Sequence, residues 1–218
     1  MGGDPEVFGD LSKGLDNPAS NEYSFDRTAM VKATDKAEAI LEAALELFVE
    51  RGFHGTAVPL VAERAGVSAG TIYHYFESKE ALVNALYRKW KAAIAQRVFD
   101  GFPADKPPRQ QFQTVWRKMA EFALSHRREF AFLELHFHRD YLDGESLAME
   151  LQLTDFAGVM IRKAQAEQAL KDLDPELLMA VSNGAFIGVF RAGIERRIEL
   201  TMDVFMAAEQ CCWEAIRR

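Results

Sequence analysis

At 218 residues the chain can bury one large core or two modest ones, and 49% of it is apolar, enough for either. It carries 26 basic against 33 acidic residues, a formal net charge of −7, where a nucleic-acid binder is expected to show a basic footprint. No charged-then-apolar leader is visible, and no run reads as apolar and uncharged enough to span a membrane, so a cytoplasmic location is expected.

Segment 1–33 opens with Gly, Asp, Pro, Asn and Ser around scattered Val7, Phe8 and Leu11, the composition of an irregular arm. A small head is expected over 34–78. From Lys36 to Arg51, Ile40, Ala44, Leu47 and Phe48 recur at helical spacing and Gly52 ends the run, which predicts a supporting helix with one buried face.

The next stretch is the most informative. Gly66 follows Ala65 where a helix should stop, and glycine takes the left-handed conformation of a tight C-cap. Ser68 then stands where an N-cap should be, so a second helix can begin at once. Val61, Ala62, Ala65, Val67 and Ile72 can fill the angle between two steeply crossing helices. The second helix carries Ala69, Gly70, Thr71, Tyr73, His74 and Tyr75, a set that can hydrogen-bond base edges with its N-terminal end leading into the major groove. Ser78 is a further N-cap candidate, opening a helix from Lys79 to Phe99 whose positive end suits a phosphate.

Over the whole head the chain resembles the TetR/AcrR-type transcriptional regulators. The resemblance rests on Ile40-Leu-Glu-Ala-Ala-Leu-Glu-Leu-Phe-Val-Glu-Arg-Gly-Phe and on Ala65-Gly-Val-Ser-Ala-Gly-Thr-Ile-Tyr-His-Tyr-Phe-Glu-Ser-Lys-Glu-Ala-Leu. It implies an all-helical homodimer whose heads bind a near-palindromic operator and whose C-terminal domain takes a small molecule that releases it. Carried over by position, Thr56, Ser68, Gly70, Thr71, Tyr73, His74, Tyr75 and Lys79 match DNA contacts. Of these, Thr56, Tyr75 and Lys79 would hold phosphates, while Ala69, Gly70, Thr71 and His74 would lie near base edges. The family pattern is broken at Ala57, where a second threonine is usual, and at Leu60, where a polar residue is usual.

The remainder, 79–218, reads as helical throughout, with segments near Lys79–Phe99, Pro108–His126, Arg128–Tyr141, Ser146–Leu170, Pro175–Arg197 and Met202–Arg217 separated by Gly, Pro and Asp turns. The expected fold class is all-α: a three-helix head followed by a helical bundle for ligand binding and dimerisation. Gly184, Gly188 and Ala192 form a smooth stripe, and Val204, Ala208, Cys211 and Ala215 share a face of the last helix, so these seven are the expected dimer interface. The two cysteines, Cys211 and Cys212, point about a hundred degrees apart on a helix and cannot bridge without breaking it.

The expected ligand pocket is an adaptable apolar cavity drawn from Phe112, Trp116, Met119 and Phe122 on one helix, Phe132, Leu135, His136 and Arg139 on the next, and Phe156 and Met160 on a third. Glu134 with His138, and His136 with Asp140, are four residues apart and are expected to pair locally. No metal site, cofactor or catalytic constellation is expected: the histidines diverge on a helix, and no paired carboxylates, nucleophile elbow or phosphate loop is present. The function expected is a sequence-specific DNA-binding regulator, a repressor released by a small, largely apolar ligand. The alternative is a nucleoid-organising or protein-recruiting protein of the same fold without an inducer.

Overall fold

The computed structural model describes the backbone from Arg27 onward and side chains from Asp35; the first part of the expected N-terminal arm, 1–26, lies outside the described residues. Among the described residues there are nine α-helices: α1 (Arg27–Arg51), α2 (Val58–Ala65), α3 (Ala69–Tyr75), α4 (Lys79–Phe99), α5 (Pro108–Ser125), α6 (Arg127–Leu135), α7 (Gly144–Ala166), α8 (Pro175–Ile194) and α9 (Met202–Ile216). A single 3-10 turn, Arg139–Tyr141, lies between α6 and α7. Among the described residues the only bridge of strand type joins Leu170 to Arg217. The all-α expectation therefore stands. The first helix begins at Arg27 and not near Lys36, so residues 27–33 are helical where an irregular arm was expected.

The head is built as its sequence dictates. Ile40, Ala44, Leu47 and Phe48 of α1 meet Val58, Val61 and Ala62 of α2, Ile72 of α3 and Leu82, Val83 and Leu86 of α4, all buried. Each large aliphatic or aromatic side chain so buried contributes about 1.5–3 kcal/mol of transfer free energy. Gly66 takes φ +67° at the end of α2, and its N–H and that of Val67 return to carbonyls of α2. Leu60, the outlier of the family pattern, packs against this core.

Behind the head, Trp116, Phe130, Phe186, Phe190 and Phe205 form an aromatic cluster that joins α5, α6, α8 and α9. Ring centroids stand 5.1 Å apart for Trp116–Phe186, 4.7 Å for Phe130–Phe190 and 4.8 Å for Phe186–Phe205. Glu209 of α9 is buried and receives the Arg109 guanidinium of α5, one arm at 2.9 Å. The fork satisfies a carboxylate that burial would otherwise penalise.

Three helix ends differ from expectation, each for a local reason. The sixth helix stops at Leu135 because the His138 ring Nε2–H donates to the Phe132 carbonyl at 2.6 Å, the acceptor that the His136 N–H would need to continue the helix. The predicted pairs Glu134–His138 and His136–Asp140 are thereby lost. At the ends of α7 and α8, Gln168 and Arg196 each adopt φ +58°, a left-handed cap that sequence reading assigns to glycine.

The expectation that no segment is long and apolar enough for a membrane fails at α8, which meets that measure by length and composition. Its physical reason is a double apolar face. Leu178, Phe186 and Phe190 enter the core, while Leu177 and Val181 stand exposed on the other side.

Candidate nucleic-acid interface and ligand cavity

The turn between α2 and α3 presents α3 outward. The Ser68 hydroxyl accepts from the Thr71 N–H at 3.1 Å, fixing the first turn of α3, while Ile72 anchors the opposite side of the helix in the core. What remains outside is Ser68, Gly70, Tyr73 and His74, with Ala69, Thr71 and Tyr75 partly covered. Tyr73 is 53% exposed, a large aromatic left in water on the surface that the sequence reading assigns to DNA.

Thr56 requires a correction. Its side chain is fully buried, and its hydroxyl lies 2.8 Å from the Gly52 carbonyl and 3.0 Å from that of Leu47. That donor locks the end of α1, so the expected phosphate contact through the Thr56 side chain is not available. Lys79 is also more structural than expected. Its ammonium donates to the carbonyls of Phe53 at 2.9 Å and Thr56 at 3.1 Å and lies 4.0 Å from the Phe53 ring centroid. One donor and the positive charge remain for an outside partner.

The long α4 ties the head to α5, α6, the 3-10 turn and α7. Asn84, buried, donates to the Tyr141 carbonyl at 2.7 Å and accepts from the Asp143 N–H at 2.9 Å. Arg88 pairs with Asp143 at 2.8 Å. The Asp143 carboxyl, capping the Ser146 N–H and facing Arg88, is held below the usual carboxylate range. Lys91 pairs with Glu134 of α6 at 2.9 Å, and Arg97 with Glu121 of α5 at 2.9 Å. Just before α7, the Tyr141 ring stacks on Phe53 of the head at 3.8 Å and its hydroxyl meets His54 Nε2 at 2.7 Å. None of Asn84, His54 and Tyr141 was singled out from sequence. An asparagine inside the apolar stripe of α4 was the readable signal for the first.

A cavity of about 420 Å³ opens between α4, α5, α6, α7, α8 and α9, within the range of small-molecule sites, about 300–1,000 Å³. Of the ten predicted lining residues, Phe112, Met119, Phe156 and Met160 are in its wall. The other six face elsewhere. Trp116, about 40° round the helix from Phe112, gives its indole N–H to the Phe205 carbonyl at 2.9 Å. Phe122 stacks on His126, and Phe132 packs between Phe48 and His138. Leu135 packs on the core, and Arg139 is exposed on the 3-10 turn. His136 lines a smaller recess of about 180 Å³ beside the head with His54 and Tyr141. The early end of α6 accounts for the misplacing of His136 and Arg139, since their helical face does not exist.

The charged lining was missed. Lys91, Glu134 and Glu150 stand in the cavity wall, and the Lys91 and Glu134 side chains are only 17% and 22% exposed. Burial works against the Lys91 charge, yet the attraction of the surrounding anionic groups, Glu134 first, outweighs it and holds the ammonium above its ordinary pKa. A lysine between Tyr87 and Ile94 on a buried stripe was the signal, because such a charge demands a partner.

On the outer side of α8 and α9, Gly184, Gly188, Cys211 and Ala215 are exposed and Val204 and Ala208 half-buried. A Cβ added at Gly184 or Gly188 would meet nothing within 4 Å beyond its own helix backbone. Ala192 must be withdrawn from the expected interface, because it is buried within its own protomer. The stripe drifts round the helix by about 40° every four residues.

Comparison with known proteins places these features in context. Residues 40–86 match the model of bacterial regulatory proteins of the tetR family, and residues 87–218 match the tetracyclin repressor-like C-terminal domain. The HTH-type transcriptional regulator RutR of Escherichia coli is 37% identical over 106 residues, which take in 49% of this chain but only 42% of RutR. A TetR-family transcription regulator from Shewanella sp. PV-4 superposes with a TM-score of 0.71 at 26% identity, covering 84% of this chain and 98% of that one. The transcriptional regulator FadR from Bacillus subtilis, solved with stearoyl-CoA, shares the fold with a TM-score of 0.66 at 18% identity over 80% of this chain and 96% of its own.

Proposed function

Because the chain belongs to the TetR family of bacterial DNA-binding transcriptional regulators, we propose that it is a homodimeric repressor released from its operator by a small, largely apolar ligand. The observation that carries this reading is an exposed α3 face, Tyr73 and His74 foremost, held rigidly by the Gly66–Ser68 turn in front of a body that contains a cavity. His74, Thr71 and Gly70 read base edges; Ser68, Tyr75 and the remaining donor of Lys79 hold phosphates. The acidic body contributes little at that surface, because only charges within a Debye length of the phosphates count. Gly184, Gly188, Val204, Ala208, Cys211 and Ala215 form the symmetric interface.

In mechanism, the ligand binds the spacing of the two heads that does not fit DNA better than the one that does, and a decisive shift needs a preference of about 5 kcal/mol. Two connections carry the change. The fourth helix is held to the head by Lys79 and to the cavity wall by Lys91. Glu134 stands one residue before the end of α6, and the segment that follows rests Tyr141 on Phe53 and His54 of the head.

An open cavity favours ligand sensing over the nucleoid-organising alternative, which would suit a closed core. The test is binding of the purified protein to DNA from upstream of its own gene, with a scrambled duplex as control, at two salt concentrations. Selective binding supports an operator; equal binding to both duplexes refutes the promoter reading.

A further inference from the structure

We infer that the ligand of the 420 Å³ cavity is a lipophilic cation, an amphiphile with a quaternary or protonated nitrogen, and not a carboxylate or acyl thioester. The inference rests on the cavity being the inducer site, as proposed above, and deepens it. Three charged side chains enter the lining, Lys91, Glu134 and Glu150. The ammonium of Lys91 is already paired with Glu134 at 2.9 Å, so two carboxylates stand against one cation and Glu150 is the surplus charge.

The remaining wall is mostly aromatic and aliphatic, Phe99, Phe112, Phe156 and Trp213 among them, with Gln111, Thr154, Ser182 and Asn183 as its uncharged polar members. Aromatic faces attract a cation and offer an anion nothing. An anionic head group drawn to Lys91 would stand beside Glu134 and Glu150 in the same wall, and the two carboxylates would repel it. A cation meets no such repulsion, because it neutralises the surplus charge of the half-buried Glu150 beside the aromatic side chains of the wall.

A matched series isolates the charge: decyltrimethylammonium, decanol and decanoate titrated into the full-length protein by calorimetry, with tryptophan fluorescence, to which Trp213 of the wall contributes, as a second readout. The cation should bind at least about tenfold tighter than the alcohol, and the carboxylate weakest of the three. In Glu150→Gln the ratio of cation to alcohol affinity should fall to within about threefold. Decanoate binding as tightly as the cation, or an unchanged ratio in Glu150→Gln, overturns the inference while leaving the inducer site intact. A second variant, Ala157→Trp, fills the cavity wall and should abolish binding of every member of the series. If the cation still binds there, it binds elsewhere and the inference is overturned. Failure of the parent protein to bind any of the three overturns the inducer-site reading itself, and this inference with it.

Discussion

Breaking the Lys91–Glu134 pair from either side should destabilise the protein, and by unequal amounts. Exposed ion pairs contribute about 0–1 kcal/mol, and breaking a fully buried one from one side costs about 3–5 kcal/mol. With 17% and 22% of the two side chains exposed and the charges 2.9 Å apart, this pair falls between, at about 2 kcal/mol. The asymmetry comes from the neighbour: Glu134→Gln leaves the ammonium facing Glu150, whereas Lys91→Met leaves Glu134 and Glu150 repelling one another in the same wall. Lys91→Met should therefore cost more. The double variant leaves only one carboxylate, so its cost should fall short of the sum of the two single costs by about 1–2 kcal/mol. Urea unfolding followed by tryptophan fluorescence reads this directly. At a slope of about 2–3 kcal/mol/M, a 2 kcal/mol loss lowers the midpoint by roughly 0.7–1 M. All four proteins are compared at one concentration, since association shifts apparent stability. Glu134→Gln costing as much as Lys91→Met, or a coupling below about 0.5 kcal/mol, would refute the account of a cavity with surplus negative charge.

His138 donates through Nε2 while its buried Nδ1 has no partner. Its pKa is lowered by burial first, so the unfolded state binds the proton more readily; stability should be complete above about pH 6.5 and fall as the pH drops from there toward the folded-state value. A pH series of urea midpoints should show that loss in the parent protein and less of it in His138→Phe. A Cβ at Gly188 meets no atom within 4 Å beyond its own helix backbone, so Gly188→Met should dissociate the dimer in sedimentation while leaving the helical circular dichroism of the monomer intact; an unchanged dimer would place the interface elsewhere. His74→Ala should reduce the preference for operator over scrambled duplex by about 1–3 kcal/mol, whereas Tyr75→Ala should weaken both alike. The opposite pattern in an anisotropy titration would refute the division of roles on α3.

The sequence by itself determined whatever depends on neighbours along the chain. The Gly66 cap, the Ser68 and Ser78 N-caps and the apolar spacing of Ile40, Ala44, Leu47 and Phe48 are local signals, and the elements that they specify formed at the expected places. Tertiary structure decided which partner a polar group takes, a few residues away or far along the chain. Thr56 turned inward because the carbonyls of Leu47 and Gly52 lay within reach of its hydroxyl. The His138 ring took the Phe132 carbonyl and ended α6, moving His136 and Arg139 away from the cavity. Lys91 found Glu134 across 43 residues of chain, which set the charge of the ligand site. Helical periodicity names the face a residue occupies, but the roughly 40° separating Phe112 from Trp116 acquire meaning only when a neighbouring helix packs on one and leaves the other beside a void.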